Sequence, residues 1–100
     1  MYKLKNTRLA DSDIADISNF TQSVGAITYV PNMLKAISAL IKNPYIGSDL
    51  GYRFPRLKNH RFIKYKKYAV IYEIIENKKI VYIKTIFAMK KDFSRLQLKS

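Results

Sequence analysis

From Tyr2 to Asn6 apolar and polar residues alternate, which predicts a short first strand. Thr7 is then placed to cap a helix, with Asp11 near its positive end and Ile14, Ile17, Phe20 and Val24 recurring at three- and four-residue spacing. That stripe predicts a first helix ending near Gly25. Val30, Leu34, Ile37 and Ile41 form a second stripe, and with Thr28 as its cap Pro31 falls in the first turn, where a missing N–H has no intrahelical partner to lose. The second helix is expected from about 29 to 42, stopped by Asn43-Pro44, with Gly47 and Gly51 marking a loop.

Beyond Gly51 the period changes to extended, with Tyr, Phe, Ile and Val in place of Ala and Leu, and strands are expected near 53–57, 60–65, 68–76 and 79–87. Lys66-Lys67 and Asn77-Lys78 make the reversals. In the central strand Val70, Tyr72 and Ile74 share one face and Ala69, Ile71 and Ile75 the other, so it belongs in the sheet interior, with Glu73 the exception. Asp92 to Leu98 reads as one or two C-terminal helical turns. The order implies an α+β domain in which a two-helix hairpin covers one face of a mostly antiparallel sheet of three to four strands. No second helical layer is available for the other face, and a half-apolar exposed face invites a partner.

The 100 residues make one domain, 1–100, whose 48% hydrophobic content suffices for a single core. The absence of cysteine excludes disulfide scaffolds, zinc ribbons and thiol nucleophiles, and fits a reducing cytoplasm. No apolar run reaches membrane-spanning length and the first residues alternate instead of forming an apolar signal, so a soluble cytoplasmic protein is expected.

Charge changes the picture more. Residues 1–50 hold 5 basic and 4 acidic groups, a net of +1, and residues 51–100 hold 14 and 3, a net of +11. Arg53, Arg56, Lys58, Arg61, Lys64, Lys66 and Lys67 interleave with Phe54, Phe62 and Tyr65. Such a field attracts phosphate backbones or an acidic protein, with an effect that falls as salt rises. The asymmetry argues against lysines that merely solvate the surface.

Little else carries chemistry. His60 is the single histidine, so a metal site is not expected, and Asp11, Asp13 and Asp16 read as helix-dipole partners and solvated surface. No Gly-x-Ser-x-Gly turn and no phosphate-cradling glycine loop occurs. The Lys58-Asn59-His60-Arg61 cluster beside Lys64 holds the residue types that ribonuclease chemistry uses as base, acid and phosphate clamp, although a His in a basic turn is ordinarily a turn residue. Arg61 begins a strand, so its guanidinium is either paired across the sheet or aimed at a phosphate or carboxylate.

Ala10, Asp13, Ile14, Ile17 and Phe20, Gly25, Leu40 with Asn43-Pro44-x-x-Gly47, Arg61-Phe62, Tyr68-x-x-Ile71-Tyr72, and Val81-x-Ile83 with Asp92 together resemble the ParE/RelE superfamily of type II toxins across nearly the whole chain. The resemblance implies a toxin neutralised in a heteromeric complex by a cognate antitoxin, whose acidic or amphipathic C-terminal segment wraps it. ParE-like members act on DNA gyrase, and RelE-like members cleave mRNA in the ribosome. The long first helix, the Gly25 corner and the Asn43–Gly47 segment look more like ParE. RelE-like ribonucleases commonly offer Arg, His or Tyr at the end of the last strand and in the tail, where this chain has Phe87-Ala88-Met89-Lys90-Lys91-Asp92.

The implied sites are therefore Arg61, Lys64, Lys90 and Lys91 against the target or a phosphate, and Lys64, Tyr65, Lys66 and Tyr68 against the antitoxin. No cofactor, metal or catalytic residue is expected of a gyrase inhibitor. The alternatives are a ribosome-dependent mRNA endoribonuclease using Lys58, His60, Arg61 and Lys90, and an inactive toxin-fold protein that binds only its antitoxin.

Overall fold

The computed structural model describes residues 1–89; the expected C-terminal helix, and Lys90 and Lys91, lie outside the described residues. β1 (Lys3–Asn6) leads into α1 (Arg8–Ser23) through Thr7, whose hydroxyl accepts the Ala10 N–H at 3.0 Å and donates to the Lys84 carbonyl at 2.7 Å. One side chain thus caps the helix and ties it to the sheet. Gly25, at φ +84°, ends α1 in a Schellman motif: its N–H reaches the Gln22 carbonyl and that of Ala26 reaches Thr21.

α2 (Tyr29–Ser38) follows, tightening into a 3₁₀ turn over Ala39–Ile41. Pro31 does sit in its first turn, but Thr28 makes no side-chain cap. The helix instead starts on backbone bonds from Tyr29 to Ala26 and from Asn32 to Thr28.

The buried faces of both helices are rotated from the expected stripes. α1 buries Ala10, Asp13, Ile17 and Thr21 while Phe20 and Val24 are exposed, and α2 buries Met33, with Leu40 following, in place of Leu34 and Ile41. A stripe drawn through apolar residues alone passed over the inward-facing polar Asp13 and Thr21.

β3 (His60–Tyr65), β4 (Tyr68–Ile75) and β5 (Ile80–Ala88) stand close to the expected bounds. The sheet has five strands, not three or four, in the order β1-β5-β4-β3-β2. β1 pairs parallel to β5, and the remaining pairs are antiparallel.

No strand forms over 53–57. Pro55 has no N–H for a ladder, and Leu50, Phe54 and Leu57 bond locally into turns ending in a 3₁₀ element at Pro55–Leu57. The strand on β3's outer edge is β2, only Ser48–Asp49.

This rearrangement also covers the sheet face expected to be bare. Leu50 and Leu57 pack there on Ala69, Ile71 and Phe87, joined by Phe54, Phe62 and Met89. The helices cover the opposite face, over Val70, Tyr72, Ile74, Val81, Ile83 and Ile86. β5 changes parity between Ile83 and Ile86, because the register skips Lys84 opposite Ile71 and Tyr72. Among the described residues no helix is long and apolar enough to cross a membrane.

Candidate functional site

At the Arg61 end of β3 a cleft of about 700 Å³ opens between Tyr45, Asp49, Lys58, Arg61, Glu73 and Glu76. One wall is the Asn43–Gly47 loop. Asn43 accepts the Tyr45 N–H at 3.3 Å, and Pro44 is fully buried. The Tyr72 hydroxyl, rising from β4, donates to the Pro44 carbonyl and accepts the Gly47 N–H at 3.1 Å. Burial pushes the Tyr72 phenol up from its ordinary pKa, against the opposing pull of the Gly47 N–H and Arg61. Only glycine allows this approach, since a Cβ at Gly47 would strike the Tyr72 hydroxyl and stand 2.7 Å from the Phe62 carbonyl oxygen.

Arg61 completes the clamp. Its Nη1 donates to the Gly47 carbonyl at 2.7 Å and the Tyr45 carbonyl at 3.4 Å, and its guanidinium lies 5.0 Å from the Tyr45 ring centroid. Glu76 fixes the far side of that ring by accepting from the Tyr45 hydroxyl at 2.6 Å, from the Tyr2 hydroxyl at 2.8 Å and from Lys79 Nζ. These bonds, Lys79's first, hold the Glu76 carboxyl down at about 2, and the bond to Glu76 pushes the Tyr45 phenol up to about 12. His60 is bound locally, its Nδ1 3.0 Å from the Lys58 carbonyl and its Nε2 4.0 Å from Glu73, which also faces Lys84 Nζ at 3.4 Å. Among the described residues no group of His, Cys, Asp or Glu is arranged to hold a metal ion.

The other end of β3 carries a different surface. Tyr65 and Tyr68, flanking the Lys66-Lys67 turn, meet Tyr29 of α2 edge to face at 5.5 and 6.0 Å. Lys66 Nζ lies over Tyr29 and Tyr65, and Lys67 Nζ over Phe20 and Tyr68. Lys66 takes φ 53° without being glycine. Phe20, Val24 and Ile27 stay largely exposed at the helix corner.

A second, mostly apolar cleft of about 260 Å³ lies on the turn-covered face, lined chiefly by Phe54, Phe62, Lys64, Ala69, Ile71, Phe87 and Met89. The end of β5 feeds this packing: Phe87 is buried and Met89 packs beside it.

The expected site residues therefore separate. Lys58, His60 and Arg61 share one end of β3, whereas Lys64, three residues from Arg61 and so on the opposite strand face, borders the apolar cleft. Arg61 is neither paired across the sheet nor directed at an anion; it binds loop carbonyls. Tyr65 and Lys66 stand together at the hairpin tip, with Tyr68 buried beneath them and holding Tyr29.

Sequence reasoning missed Tyr29, Tyr45, Ile46 and Glu76. A usable signal existed for the first: from Ile17 to Leu34 the chain has no charged residue at all, and the exposed corner side chains belong to that stretch. Asp13, read as solvated, is buried and accepts from Thr85 and Ile86, because the bulge in β5 presents two donors to it.

A family model described as the ParE toxin of the type II toxin-antitoxin system parDE matches residues 4–93. No curated protein matches the chain in sequence. Among solved structures, the chromosomal ParDE toxin-antitoxin system from P. aeruginosa superposes with a TM-score of 0.69 at 17% identity, covering 88% of this chain and 96% of that one. The intact E. coli RelBE toxin-antitoxin complex gives 0.64 at 17% identity, with coverage of 88% and 96%. The isolated E. coli RelE toxin gives 0.65 at 17% identity, with coverage of 99% and 97%. At these identities the structural matches establish the shared fold.

Proposed function

The chain belongs to the ParE toxin family, within the ParE/RelE superfamily of type II toxins, and on that premise we propose that it is a ParE-like toxin that inhibits DNA gyrase by binding it and is neutralised by a cognate antitoxin. The observation that carries the gyrase reading is the end of β5. Where the resemblance to RelE-like ribonucleases leads one to look for Arg, His or Tyr, Phe87 is buried and Met89 packs beside it in an apolar cluster. Of the described acid–base candidates, His60 is engaged with the Lys58 carbonyl and Glu73, and Arg61 with the loop carbonyls. General acid–base catalysis contributes about 10²-fold to 10⁴-fold in rate and needs a proton-transfer group within hydrogen-bond reach of the reacting atoms.

The antitoxin reading rests on the hairpin tip. Tyr65, Lys66 and Lys67 over Tyr29 and Phe20 offer apolar area with cations at its margin, which suits an acidic amphipathic segment.

Expression of the chain alone should arrest growth, and co-expression with the protein encoded beside it should relieve the arrest. Purified toxin should block gyrase supercoiling or trap cleaved DNA. Ribosome-dependent mRNA cleavage that disappears in His60→Ala, with supercoiling untouched, would overturn the gyrase reading in favour of a nuclease. Normal growth on expression of folded, soluble chain would leave an inactive antitoxin-binding protein.

A further inference from the structure

The Asn43–Gly47 loop, a single 3₁₀ turn over Pro44–Ile46, is heavily restrained, yet it leaves its largest side chains in solvent. Tyr72 holds it at Pro44 and Gly47, Arg61 at Gly47 and Tyr45, Asn43 at the Tyr45 amide and Glu76 at the Tyr45 hydroxyl. Tyr45 and Ile46 nevertheless remain 50% and 54% exposed. A loop fastened only to complete the core would turn such side chains inward. Here the restraints fix the tyrosine ring from both sides, by the guanidinium over its face and the carboxylate at its hydroxyl.

We infer that Tyr45 and Ile46 form a pre-set anchor that grips the toxin's protein target, and that Arg61 is the positioning residue that holds them in place. This rests on the reading that the toxin acts by binding a protein. Tight interfaces concentrate their energy in a few Tyr, Trp and Arg anchors, and an anchor already ordered in the free protein loses little entropy on binding.

Charge decides the class of partner. Asp49, Glu73 and Glu76, the only acidic residues beyond Asp16 among those described, all line the cleft beside this loop. A nucleic-acid backbone would meet three carboxylates there, Glu76 beside Lys79 and Glu73 beside Lys84, whereas a protein surface of mixed charge meets matching donors and acceptors. Arg61 has its Nη1 directed at backbone carbonyls, which a phosphate-binding arginine would not.

The test uses the full chain, with growth arrest on expression, supercoiling by purified gyrase, thermal unfolding, and binding to the co-purified antitoxin. The double variant Tyr45→Ala/Ile46→Ala should need at least about tenfold more toxin for the same inhibition, while it stays folded at the assay temperature and its antitoxin binding is unchanged. Arg61→Lys keeps the charge but loses the flat guanidinium that lies over the Tyr45 ring while its Nη1 reaches the loop carbonyls, so it should fail to the same extent as Arg61→Ala. Adding Arg61→Ala to the double variant should bring no further loss.

A double variant as inhibitory as the parent would overturn the proposal. So would Arg61→Lys at full activity beside an inert Arg61→Ala, because charge and not loop position would then be what matters. If the parent arrests growth but leaves gyrase untouched, the gyrase assignment fails and growth arrest still reads the anchor. A parent without any effect on growth removes both.

Discussion

The Asp13 carboxylate and the Thr85 hydroxyl, 72 residues apart in the chain, meet in the interior at 2.7 Å, and the same carboxylate oxygen accepts the Ile86 N–H at 2.9 Å. α1 is thereby registered on β5 at the bulge, where the strand presents two donors side by side. Asp13→Ala removes the buried carboxylate that Thr85 and Ile86 share, so it should destabilise the fold by about 3 kcal/mol, read as a lower midpoint in urea. Thr85→Val, which removes one donor and keeps the shape, should lose about 1 kcal/mol. A loss for Asp13→Ala no larger than that for Thr85→Val would show that this carboxylate does not fasten the helix.

The loop clamp makes a second prediction, about stability alone. Gly47→Ala drives a Cβ against the Tyr72 hydroxyl and the Phe62 carbonyl, and should destabilise by about 1–3 kcal/mol. Tyr72→Phe leaves the Gly47 N–H without its buried acceptor and should lose a similar amount. The two changes act on one contact, so the double variant should lose clearly less than their sum in calorimetry.

Acid should loosen the Glu76 cluster. The folded carboxyl sits at about 2, below its ordinary 4.5, so its stabilising effect is fully present above the ordinary value. That effect fades as pH falls from 4.5 toward 2. Parent protein should therefore lose stability across this window more steeply than Glu76→Gln, which has no carboxyl to protonate. Superimposable acid-unfolding curves for the two would contradict the assignment.

Association with the antitoxin should slow as salt is raised, because Lys66 and Lys67 stand at the margin of the aromatic corner. Lys66→Glu/Lys67→Glu should lower the on-rate by about tenfold at low salt and by much less at high salt. An on-rate flat across ionic strength would exclude steering by this turn.

The sequence was most legible where a single period governed many residues. β3 matches its expected bounds because Phe62, Ile63 and Tyr65 pack on a pleated surface, and β4 was read as interior from its two apolar faces. The helices were found but turned, since Asp13 faces inward only because β5 bulges to meet it, and a bulge leaves no local trace in a strand of Ile, Val and Thr. The expected strand over 53–57 failed through turn chemistry: Leu50, Phe54 and Leu57 are spaced for turns, and Pro55 forbids the ladder. The cleft was half legible. Arg61 was singled out, but its partners are the carbonyls of Tyr45 and Gly47, and backbone acceptors brought in by a distant loop have no residue signature.

The parallel pairing of β1 with β5 joins the first strand of the chain to the last one described. Tyr2 reaches Glu76, Lys3 binds the Lys79 carbonyl and Thr7 the Ile83 carbonyl, so the β1 margin of the sheet waits on residues made much later in the chain. Chains grow at about 5–20 residues per second, and contacts of such sequence separation form only after the later partner is made. Nascent chains arrested with β4 exposed and β5 still unmade should be digested by protease throughout. Until β5 emerges β1 has no strand to pair with, so the sheet, and the toxin with it, closes only once β5 has been made, and an antitoxin already present meets both strands together.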